Sequence, residues 1–257
     1  MSVATWNVNS IKARLANLLR WLEAAKPDVV LLQETKVQDE AFPAEPIEDL
    51  GYNIARVGQK SYNGVAVLSK RPIDVLATAL PGDDADAQAR YLEVFTGGLR
   101  VASLYAPNGN PVESEKFAYK LGWLERLHRH AAVLLAEEDA LVLGGDLNVA
   151  LTDQDVFDPP AWREDALCRP ESRAALWKIL HLGFVDAARA LDPDGHAYTY
   201  WDYRGNAWAA DLGLRIDYLL LSPRAADRLI DAACDRTPRG WPQTSDHAPV
   251  VCRLRTA

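Results

Sequence analysis

Three short segments place acidic, amide and imidazole side chains at widely separated points of the sequence. Thr5-Trp6-Asn7 lies near the start, Gly144-Gly145-Asp146-Leu147-Asn148 in the middle and Ser245-Asp246-His247 near the end. Each segment adjoins a strand-like run, so folding can bring the polar groups to one place. Carboxylates, amides and an imidazole around one point are typical of metal-assisted phosphoester cleavage. The sequence therefore predicts an enzyme.

Asn7, Glu34 and Asp246 are the candidate metal ligands. Hard divalent cations such as Mg²⁺ take oxygen ligands and keep several waters, so one or two carboxylates with an amide oxygen suffice. Each of the three residues adjoins a strand-like run. Considered singly, an Asp or Asn after a strand is most often a turn or capping residue. Their joint occurrence favours a metal site.

Asp146, Asn148 and His247 are the candidate groups for proton transfer and phosphate binding. Asp146 and Asn148 have the spacing of neighbours on one face of a strand end, where one can take a proton and the other hold an oxygen. The alternative is an ordinary Gly-Asp turn. Asp217 can fix the tautomer of His247 and favour its charged form. An imidazolium beside a phosphate stabilises developing negative charge.

Strands and helices alternate along the chain and must position these groups. Apolar residues recur at helical spacing over 11–22, 117–135 and 172–182, with Ser114 as the cap of the second helix. An α/β (α+β) fold is expected, with two mixed β-sheets packed face to face and helices outside. The predicted strands are 3–8, 29–32, 52–57, 64–68, 91–95, 101–105, 140–143, 198–201, 215–221 and 250–254.

Length and composition predict one globular domain over residues 1–257. The hydrophobic fraction of 49% and the charged fraction of 25% are ordinary for such a domain. No apolar stretch approaches the length of a membrane span, and the start lacks a secretory signal pattern, so a cytoplasmic protein without a membrane partner is expected. The cysteines Cys168, Cys234 and Cys252 are odd in number and show no CxxC spacing, which predicts reduced thiols.

The charge balance gives a divided signal about nucleic acid. A net charge of -8 opposes the simple expectation for a nucleic-acid binder, because phosphate contacts need Lys and Arg. Residues 50–73 nevertheless contain no Asp or Glu and include Arg56, Lys60, Lys70 and Arg71. This stretch is either a phosphate-facing patch or a solvated strand edge. A monomer is expected because no long apolar face is left over.

Ten segments, in order along the chain, carry a family resemblance. They are Trp6-Asn7-Val8-Asn9-Ser10, Leu32-Gln33-Glu34-Thr35-Lys36, Asn63-Gly64-Val65-Ala66, Gln88-Ala89-Arg90-Tyr91-Leu92-Glu93, Tyr105-Ala106-Pro107-Asn108-Gly109, Lys116-Phe117-Ala118-Tyr119-Lys120-Leu121, Gly145-Asp146-Leu147-Asn148-Val149, Tyr200-Trp201-Asp202-Tyr203-Arg204, Leu214-Arg215-Ile216-Asp217-Tyr218 and Ser245-Asp246-His247-Ala248-Pro249. The chain resembles the exonuclease III family of abasic-site endonucleases, within the endonuclease/exonuclease/phosphatase superfamily. One such motif is weak evidence, whereas ten in family order are specific.

This resemblance implies a four-layer αββα sandwich and a reaction that depends on Mg²⁺ or Mn²⁺. It places Asn7, Glu34 and Asp246 around the main metal. It also implies that Asp146 activates or positions the attacking water, with help from Asn148.

Phosphate contacts are implied in the same way. The resemblance assigns Tyr105, with Asn108 nearby, to the scissile phosphate, and the pair Asp217 and His247 to binding and neutralising it. Some family schemes instead give His247 the role of base, and some place a second ion near Asp146, Asn148 and His247. If Asp217 holds His247 charged, Asp146 is the better base, because an imidazolium cannot accept a proton.

A small apolar pocket is implied for substrate selection. The resemblance places Trp201, Leu214 and Ile216 in the wall that accepts a baseless sugar, and Arg90 near the backbone phosphates. A missing base lowers the cost of extruding the nucleotide from a duplex. The alternatives are structural, since a Trp in an aromatic-rich stretch is often core and Leu214 and Ile216 alternate as in a buried strand.

Three classes of function remain at this point. The favoured one is a DNA-repair phosphodiesterase that cuts 5′ to abasic sites in duplex DNA and also has 3′→5′ exodeoxyribonuclease and 3′-phosphatase or phosphodiesterase activity on 3′-blocked ends. The others are a superfamily phosphatase for a non-DNA phosphoester and a non-catalytic nucleic-acid-binding regulator. The segments 116–120 and 201–204 count against the phosphatase, and the complete set of catalytic residue types counts against the regulator. Two departures limit the comparison: Asn9 stands where some relatives carry Asp, and the loop 152–170 varies among relatives.

Overall fold

Two stacked six-stranded sheets form the centre of the molecule, which a computed structural model describes over residues 1–256. The first sheet contains, in spatial order, β11 (Leu229–Cys234), β12 (Val250–Leu254), β1 (Ser2–Asn7), β2 (Val29–Gln33), β4 (Val65–Ser69) and β3 (Asn53–Val57). The second contains β5 (Ile73–Ala77), β6 (Tyr91–Thr96), β7 (Leu99–Tyr105), β8 (Leu141–Asp146), β10 (Asp217–Leu221) and β9 (Val185–Asp186). In both sheets one central pair is parallel, β1 with β2 and β7 with β8.

Helices cover the outer face of each sheet. The first of them, α1 (Ile11–Ala25), begins after Ser10, whose side chain caps it, and ends at Lys26 in the left-handed conformation. Its Leu18 and Trp21 pack against the first sheet. The remaining helices are α2 (Glu45–Glu48), α3 (Glu115–Ala136), α4 (Pro159–Trp162), α5 (Pro170–Leu180), α6 (Ala187–Leu191) and α7 (Pro223–Ala226), of which α3 and α5 lie on the second sheet.

The apolar core between the sheets explains why the central strands are hydrophobic on both faces. Leu31 of β2 packs there with Val142 of β8 and Leu219 of β10. The next residue along β2, Leu32, points the other way and packs under α1. Because each sheet is covered on both sides, its inner strands read as continuous apolar runs. The predicted four-layer αββα sandwich is therefore confirmed.

Two kinds of error appear in the predicted strands. The segment 198–201 is not a strand, because Tyr200 makes only isolated bridges to Leu214 and His247. Three strands were missed, namely β5, β9 and β11, and all of them lie at sheet edges. The residues of β5 are mostly exposed, so this strand carries no apolar run for the sequence to reveal.

The basic stretch 50–73 lies partly on an edge strand. Arg56 of β3 donates to the carbonyl of Asp39 and lies over the ring of Phe42, and Lys70 donates to the carbonyl of Lys26. These contacts favour the solvated strand edge over a phosphate-facing patch. None of the helices formed by residues 1–256 combines the length and the apolar character that a bilayer span requires.

Candidate active site

Strand register brings the predicted residues to one edge of the sandwich. Asn7 ends β1 opposite Gln33 of β2, and Asp146 ends β8 between Tyr105 of β7 and Asp217 of β10. Since β1 lies on β8 across the interface between the sheets, these strand ends meet. Segments more than a hundred residues apart in sequence thus contribute to one site.

A cavity of about 300 Å³ opens at this edge. Carboxylates dominate its polar wall, with His247 and Arg204 as the positively charged side chains, so it suits a cation together with a phosphate. Its lining residues are Glu34, Tyr105, Asn108, Asn110, Asp146, Asn148, Trp162, Asp165, Leu167, Tyr200, Asp202, Arg204, Ile216, Asp246 and His247.

His247 lies buried between two carboxylates. Its Nδ1 is 2.8 Å from Oδ2 of Asp217, and its Nε2 is 3.8 Å from Oδ2 of Asp146. Burial alone would lower the pKa of His247, but the negative charges of Asp217 and Asp146 and the hydrogen bond to Asp217 raise it well above its usual value. The imidazole is therefore charged at neutral pH, and its Nε2 faces Asp146 without a direct hydrogen bond.

Asp146 has the environment of a proton acceptor. Its Oδ1 accepts from the backbone N–H of Asn148 at 2.9 Å, and its Oδ2 accepts from Asn7 at 3.0 Å. Burial and the neighbouring charges of Asp217 and Glu34 raise the pKa of Asp146, although His247 opposes them. A raised pKa makes a carboxylate a stronger base near neutral pH. The tight turn at Asn148, with φ of 50°, fixes both groups at the strand end.

Glu34 and Asp246 also line the cavity, and Asn7 lies between Glu34 and Asp146. Oε1 of Glu34 accepts from Asn7 at 2.8 Å, and Oδ1 of Asp246 accepts from Asn9 at 3.0 Å. Lys36 pairs with Oε2 of Glu34 at 2.6 Å. Although burial opposes the shift, Lys36 and the Asn7 amide lower the pKa of Glu34, so this carboxylate is ionised at neutral pH. The Asn9 amide thereby orients the carboxylate of Asp246.

The donor set fits a divalent metal ion on this side of the cavity. Glu34 and Asp246 present ionisable oxygens to the cavity, which is the chemistry that such cations prefer. Asn7 is turned so that its amide nitrogen faces Glu34 and Asp146, and it would become a ligand only with the amide reversed.

A second group of possible ligands is the cluster of Asp146, Asp217 and His247, whose ligand atoms lie within 4.8 Å of one another. A charged imidazole has no free lone pair, so this cluster fits a metal less well than the Glu34 side.

Tyr105 and Asn108 form the part of the cavity wall between the Glu34 side and the cluster of Asp146, Asp217 and His247. The Tyr105 hydroxyl donates to Glu34 at 2.9 Å, and burial together with Glu34 and Asp146 raises its pKa well above the usual value. Asn108 donates to the side chain of Asn148 at 3.1 Å. Arg90 lies over the Tyr105 ring, 4.8 Å from its centroid, at the mouth of a neighbouring cleft. All three remain neutral or cationic groups suited to contacting phosphate oxygens.

Two of the three residues predicted for the pocket wall, Trp201 and Leu214, do not line the cavity. Trp201 is fully buried, donates to Asp211 and packs on Trp208, so it does not reach the cavity. Tyr200 takes that place, with its ring 5.0 Å from the imidazole of His247. The prediction for Trp201 failed because the side chain that lines the cavity belongs to the preceding residue, Tyr200.

Of the other two predicted wall residues, Ile216 lines the cavity with Tyr200. Leu214 lies behind the wall in an adjoining hollow.

Comparison with known proteins decides the family. A family model described as "Endonuclease/Exonuclease/phosphatase family" matches residues 4–247. The chain belongs to the endonuclease/exonuclease/phosphatase family. Within it, the chain is a member of the exonuclease III group, because it is 33% identical to exodeoxyribonuclease III of Haemophilus influenzae over 270 aligned positions, covering 99% of this chain and 100% of that protein.

Solved structures of the endonuclease/exonuclease/phosphatase family agree with this placement. The 3′ phosphatase NExo from Neisseria, bound to a product DNA hairpin, is 38% identical with a TM-score of 0.97, covering 99% of each chain. An AP endonuclease from Archaeoglobus fulgidus is 37% identical with a TM-score of 0.94, again covering 99% of each chain. The chain is thus similar over its whole length to enzymes with two different named activities.

Several residues that hold this family site together were not predicted. Trp6 donates to the carbonyl of His247 at 3.0 Å, and Ser245 donates to the carbonyl of Asn7 at 2.6 Å. Thr199 donates to Oδ2 of Asp217 at 2.6 Å, beside the bond from His247. Trp6 and Ser245 lie inside recognised motifs, which is the one signal that sequence offers. Their contacts depend on segments far away in the chain.

Proposed function

We propose that this chain is a metal-dependent DNA-repair phosphodiesterase of exodeoxyribonuclease III type. It hydrolyses the phosphodiester 5′ to an abasic site in duplex DNA, and the same site trims 3′ ends by exonuclease and phosphatase action. The observation that most directly supports this proposal is the buried series of side chains Asp217, His247 and Asp146. It shares one small cavity with Glu34 and Asp246. The relatives named as exodeoxyribonuclease, AP endonuclease and 3′ phosphatase support this assignment.

Proton transfer falls to Asp146 in this proposal. The carboxylate takes a proton from the water that attacks phosphorus, and the bond from phosphorus to the 3′ oxygen of the upstream nucleotide breaks. The departing oxygen takes a proton from solvent and becomes a 3′ hydroxyl, while the phosphate stays on the 5′ carbon of the abasic sugar. His247, held charged by Asp217, and the Tyr105 hydroxyl stabilise the negative charge that develops on the phosphate oxygens. Asn108 and Asn148 hold the phosphate in line through their amide groups.

Glu34 and Asp246, with Asn7 in its reversed orientation, would hold Mg²⁺ or Mn²⁺. Such an ion supplies Lewis-acid stabilisation of a phosphoryl oxygen when bound. Without the ion, Lys36 pairs with the carboxylate of Glu34 and Asn9 donates to the carboxylate of Asp246. This arrangement keeps Glu34 ionised and ready to bind.

Duplex DNA with abasic sites or 3′-blocked ends is the proposed substrate. Ile216, Tyr200, Trp162 and Leu167 give the cavity an apolar wall. A deoxyribose without a base fits such a wall and costs less to extrude. We further propose that residues 1–257 form one catalytic domain that acts as a monomer.

The test is incubation with a duplex that contains one synthetic abasic site, in Mg²⁺, in Mn²⁺ and in EDTA. We expect nicking 5′ to the lesion with either metal and none with EDTA, while the same duplex without the lesion stays intact. Cleavage that persists in EDTA would overturn the metal assignment. Binding of the lesion without cleavage under any metal would favour the non-catalytic regulator.

A 3′ phosphatase without abasic-site incision is the second candidate, because the relative bound to product DNA is named for that activity. A nicked duplex with a 3′-phosphate at the nick separates the two. Release of inorganic phosphate without incision of the abasic duplex would assign the narrower function. Phosphate release from the nicked duplex together with incision of the abasic duplex supports the broader function.

A further inference from the structure

Lys120 is a fully buried lysine that the proposed reaction does not use. It lies in the second turn of α3, within the Lys116–Lys120 motif, and its side chain is 0% exposed. Its ammonium donates to three backbone carbonyls, those of Asn108 at 3.0 Å, Asn148 at 2.6 Å and Ala166 at 2.9 Å. Within residues 1–256 it forms no ion pair, so its partners are neutral dipoles alone.

The three carbonyls belong to three separate loops around the cavity. One loop follows β7 and carries Asn108, the second follows β8 and carries Asn148, and the third precedes α5 and carries Leu167. Asn108, Asn148 and Leu167 all line the cavity. One buried cation therefore contacts the backbone of three loops that line the cavity.

A protonated ammonium matches this arrangement. It has three N–H donors, one for each carbonyl, whereas a neutral amine has two. Burial lowers the pKa of Lys120 to about 7, against the opposing charges of Asp165 and Asp146. The carbonyl dipoles replace the water that the ammonium has lost.

Bonds between the same loops reinforce the contact. The N–H of Ala150, in the second loop, donates to the carbonyl of Leu167 at 2.9 Å, and Asn110 of the first loop donates to Asp165 of the third at 3.1 Å. Asn110 also accepts from the N–H of Ala166. Lys120 lies at the centre of this network, because it is the one side chain that bonds to all three loops among the described residues.

We infer that Lys120 is a positioning residue that fixes the three loops and thereby sets Asn108, Asn148 and Leu167 at the distances the phosphate and sugar require. This inference rests on the proposed function for its catalytic readout. It differs from a purely structural role in predicting that loss of the ammonium loosens the cavity wall and slows turnover while the rest of the fold is unchanged.

The experiment compares wild type with Lys120→Met, which keeps the apolar stem and removes the donors. We expect faster backbone hydrogen exchange in peptides covering 147–151 and 164–168, and a fall in kcat of about 10- to 100-fold on the abasic duplex, as expected for a misplacement near 1 Å. We expect KM to change by less than about threefold, because the phosphate-contacting side chains are still present. Unchanged exchange in both peptides and unchanged kcat would overturn the inference.

Arg126→Met is the matched control. Arg126 is a buried cation on the same helix, but it pairs with Asp86 away from the three loops. Its loss should lower Tm without changing kcat or the exchange of the two peptides. If it produces the same loop signature, the effect of Lys120→Met comes from helix instability and the inference fails.

Gly109→Ala provides a second variant if Lys120→Met does not fold. A Cβ on Gly109 would lie 2.7 Å from Cδ of Lys120, so it displaces the lysine while keeping its charge, and it would also lie 3.2 Å from Cβ of Ala166 in the third loop. Gly98→Ala has a similar positive φ with nothing within 4 Å and controls for backbone strain. Since Ala166 belongs to the 164–168 peptide, the readout for this variant is the 147–151 peptide, whose exchange Gly109→Ala should speed up and Gly98→Ala should not. Exchange is measured without DNA, so it decides the role of Lys120 even if the wild type fails to cut DNA.

Discussion

At the scale of single residues, the site depends on how two carboxylates divide their work around one imidazole. Asp217 bonds Nδ1 of His247 at 2.8 Å and has no other way to act on substrate, because it is buried behind the ring. Asp146 faces the other ring nitrogen from 3.8 Å and lines the cavity. Asp217 therefore stabilises the positive charge of the His247 ring, and Asp146 is available to accept a proton. The two aspartates have different chemistry because their partners and their access to the cavity differ.

Asp146→Asn should abolish most turnover and leave DNA binding intact. General-base catalysis contributes about 10²- to 10⁴-fold, so we expect a loss of kcat in that range. In the wild type the rate should rise with pH as Asp146, whose pKa is raised, loses its proton, and fall again when His247 loses its own. The variant should lack the rising limb, which a pH series of single-turnover rates measures.

Asp202→Asn is the control for that substitution. Asp202 also lines the cavity but pairs with Arg204 and makes no contact with His247. It should keep turnover within about threefold of wild type, since its loss removes no proton acceptor. Near wild-type turnover of Asp146→Asn at neutral pH would transfer the base role to another group.

At the scale of secondary-structure elements, a buried polar cluster joins β6, β7 and α3 on the face of the second sheet that α3 covers. Glu93 of β6 accepts from Arg100 of β7 at 2.7 Å and lies 2.9 Å from the ring of His130 of α3. Burial alone would raise the pKa of Glu93, but hydrogen bonds from His130, Tyr91 and Arg100 lower it to about 2. The carboxylate thus ties helix to sheet in its ionised form.

Glu93→Gln should remove an acid-sensitive part of the stability. A depressed pKa contributes stability that is full above the unfolded pKa, near 4.5, and is lost as pH falls through the folded value, near 2. Wild type should lose about 3 kcal/mol of unfolding free energy through this group between those limits. Urea denaturation at a series of pH values measures the difference. An identical acid dependence in Glu93→Gln would contradict the assignment.

Elements also determine what sequence could and could not predict. The strands β1, β2 and β8 were predicted because both faces of each are buried, which leaves an apolar run ending in a polar residue of the site. The edge strand β5 was missed because it has no such run. Tyr200 and Lys120 were missed as parts of the site because their roles arise from contacts between loops distant in sequence, and no local pattern records such contacts.

At the scale of the whole molecule, a net charge of -8 has to coexist with a DNA substrate. The cavity itself is rich in carboxylates, so contacts to the phosphates that flank the scissile one must come mainly from cations outside it. Arg90 is one of them, and the cleft beside it also contains Lys116, with no carboxylate among its lining residues. The repulsion of the acidic surface elsewhere favours binding in one orientation, with this cleft toward the DNA.

Arg90→Ala should lower the salt dependence of DNA binding. Each phosphate contact adds about one to the slope of log K against log salt concentration, so the variant's slope should be shallower by about one. Fluorescence anisotropy with an abasic duplex in EDTA measures binding without cleavage. Arg224→Ala, which removes an exposed cation of α7 that pairs with Glu138, should leave the slope unchanged. Equal slopes in wild type and Arg90→Ala would place Arg90 outside the interface.

The strand order also governs when activity can appear during synthesis. Because β1 lies between β2 and β12, a growing chain holds Asn7 on a strand with one open edge until the last strand emerges from the ribosome. His247 arrives only just before that strand, and Trp6 then bonds to its carbonyl. An incomplete translation product therefore lacks both the imidazole and the support beneath it. A truncated chain that ends before His247 is therefore expected not to cut DNA.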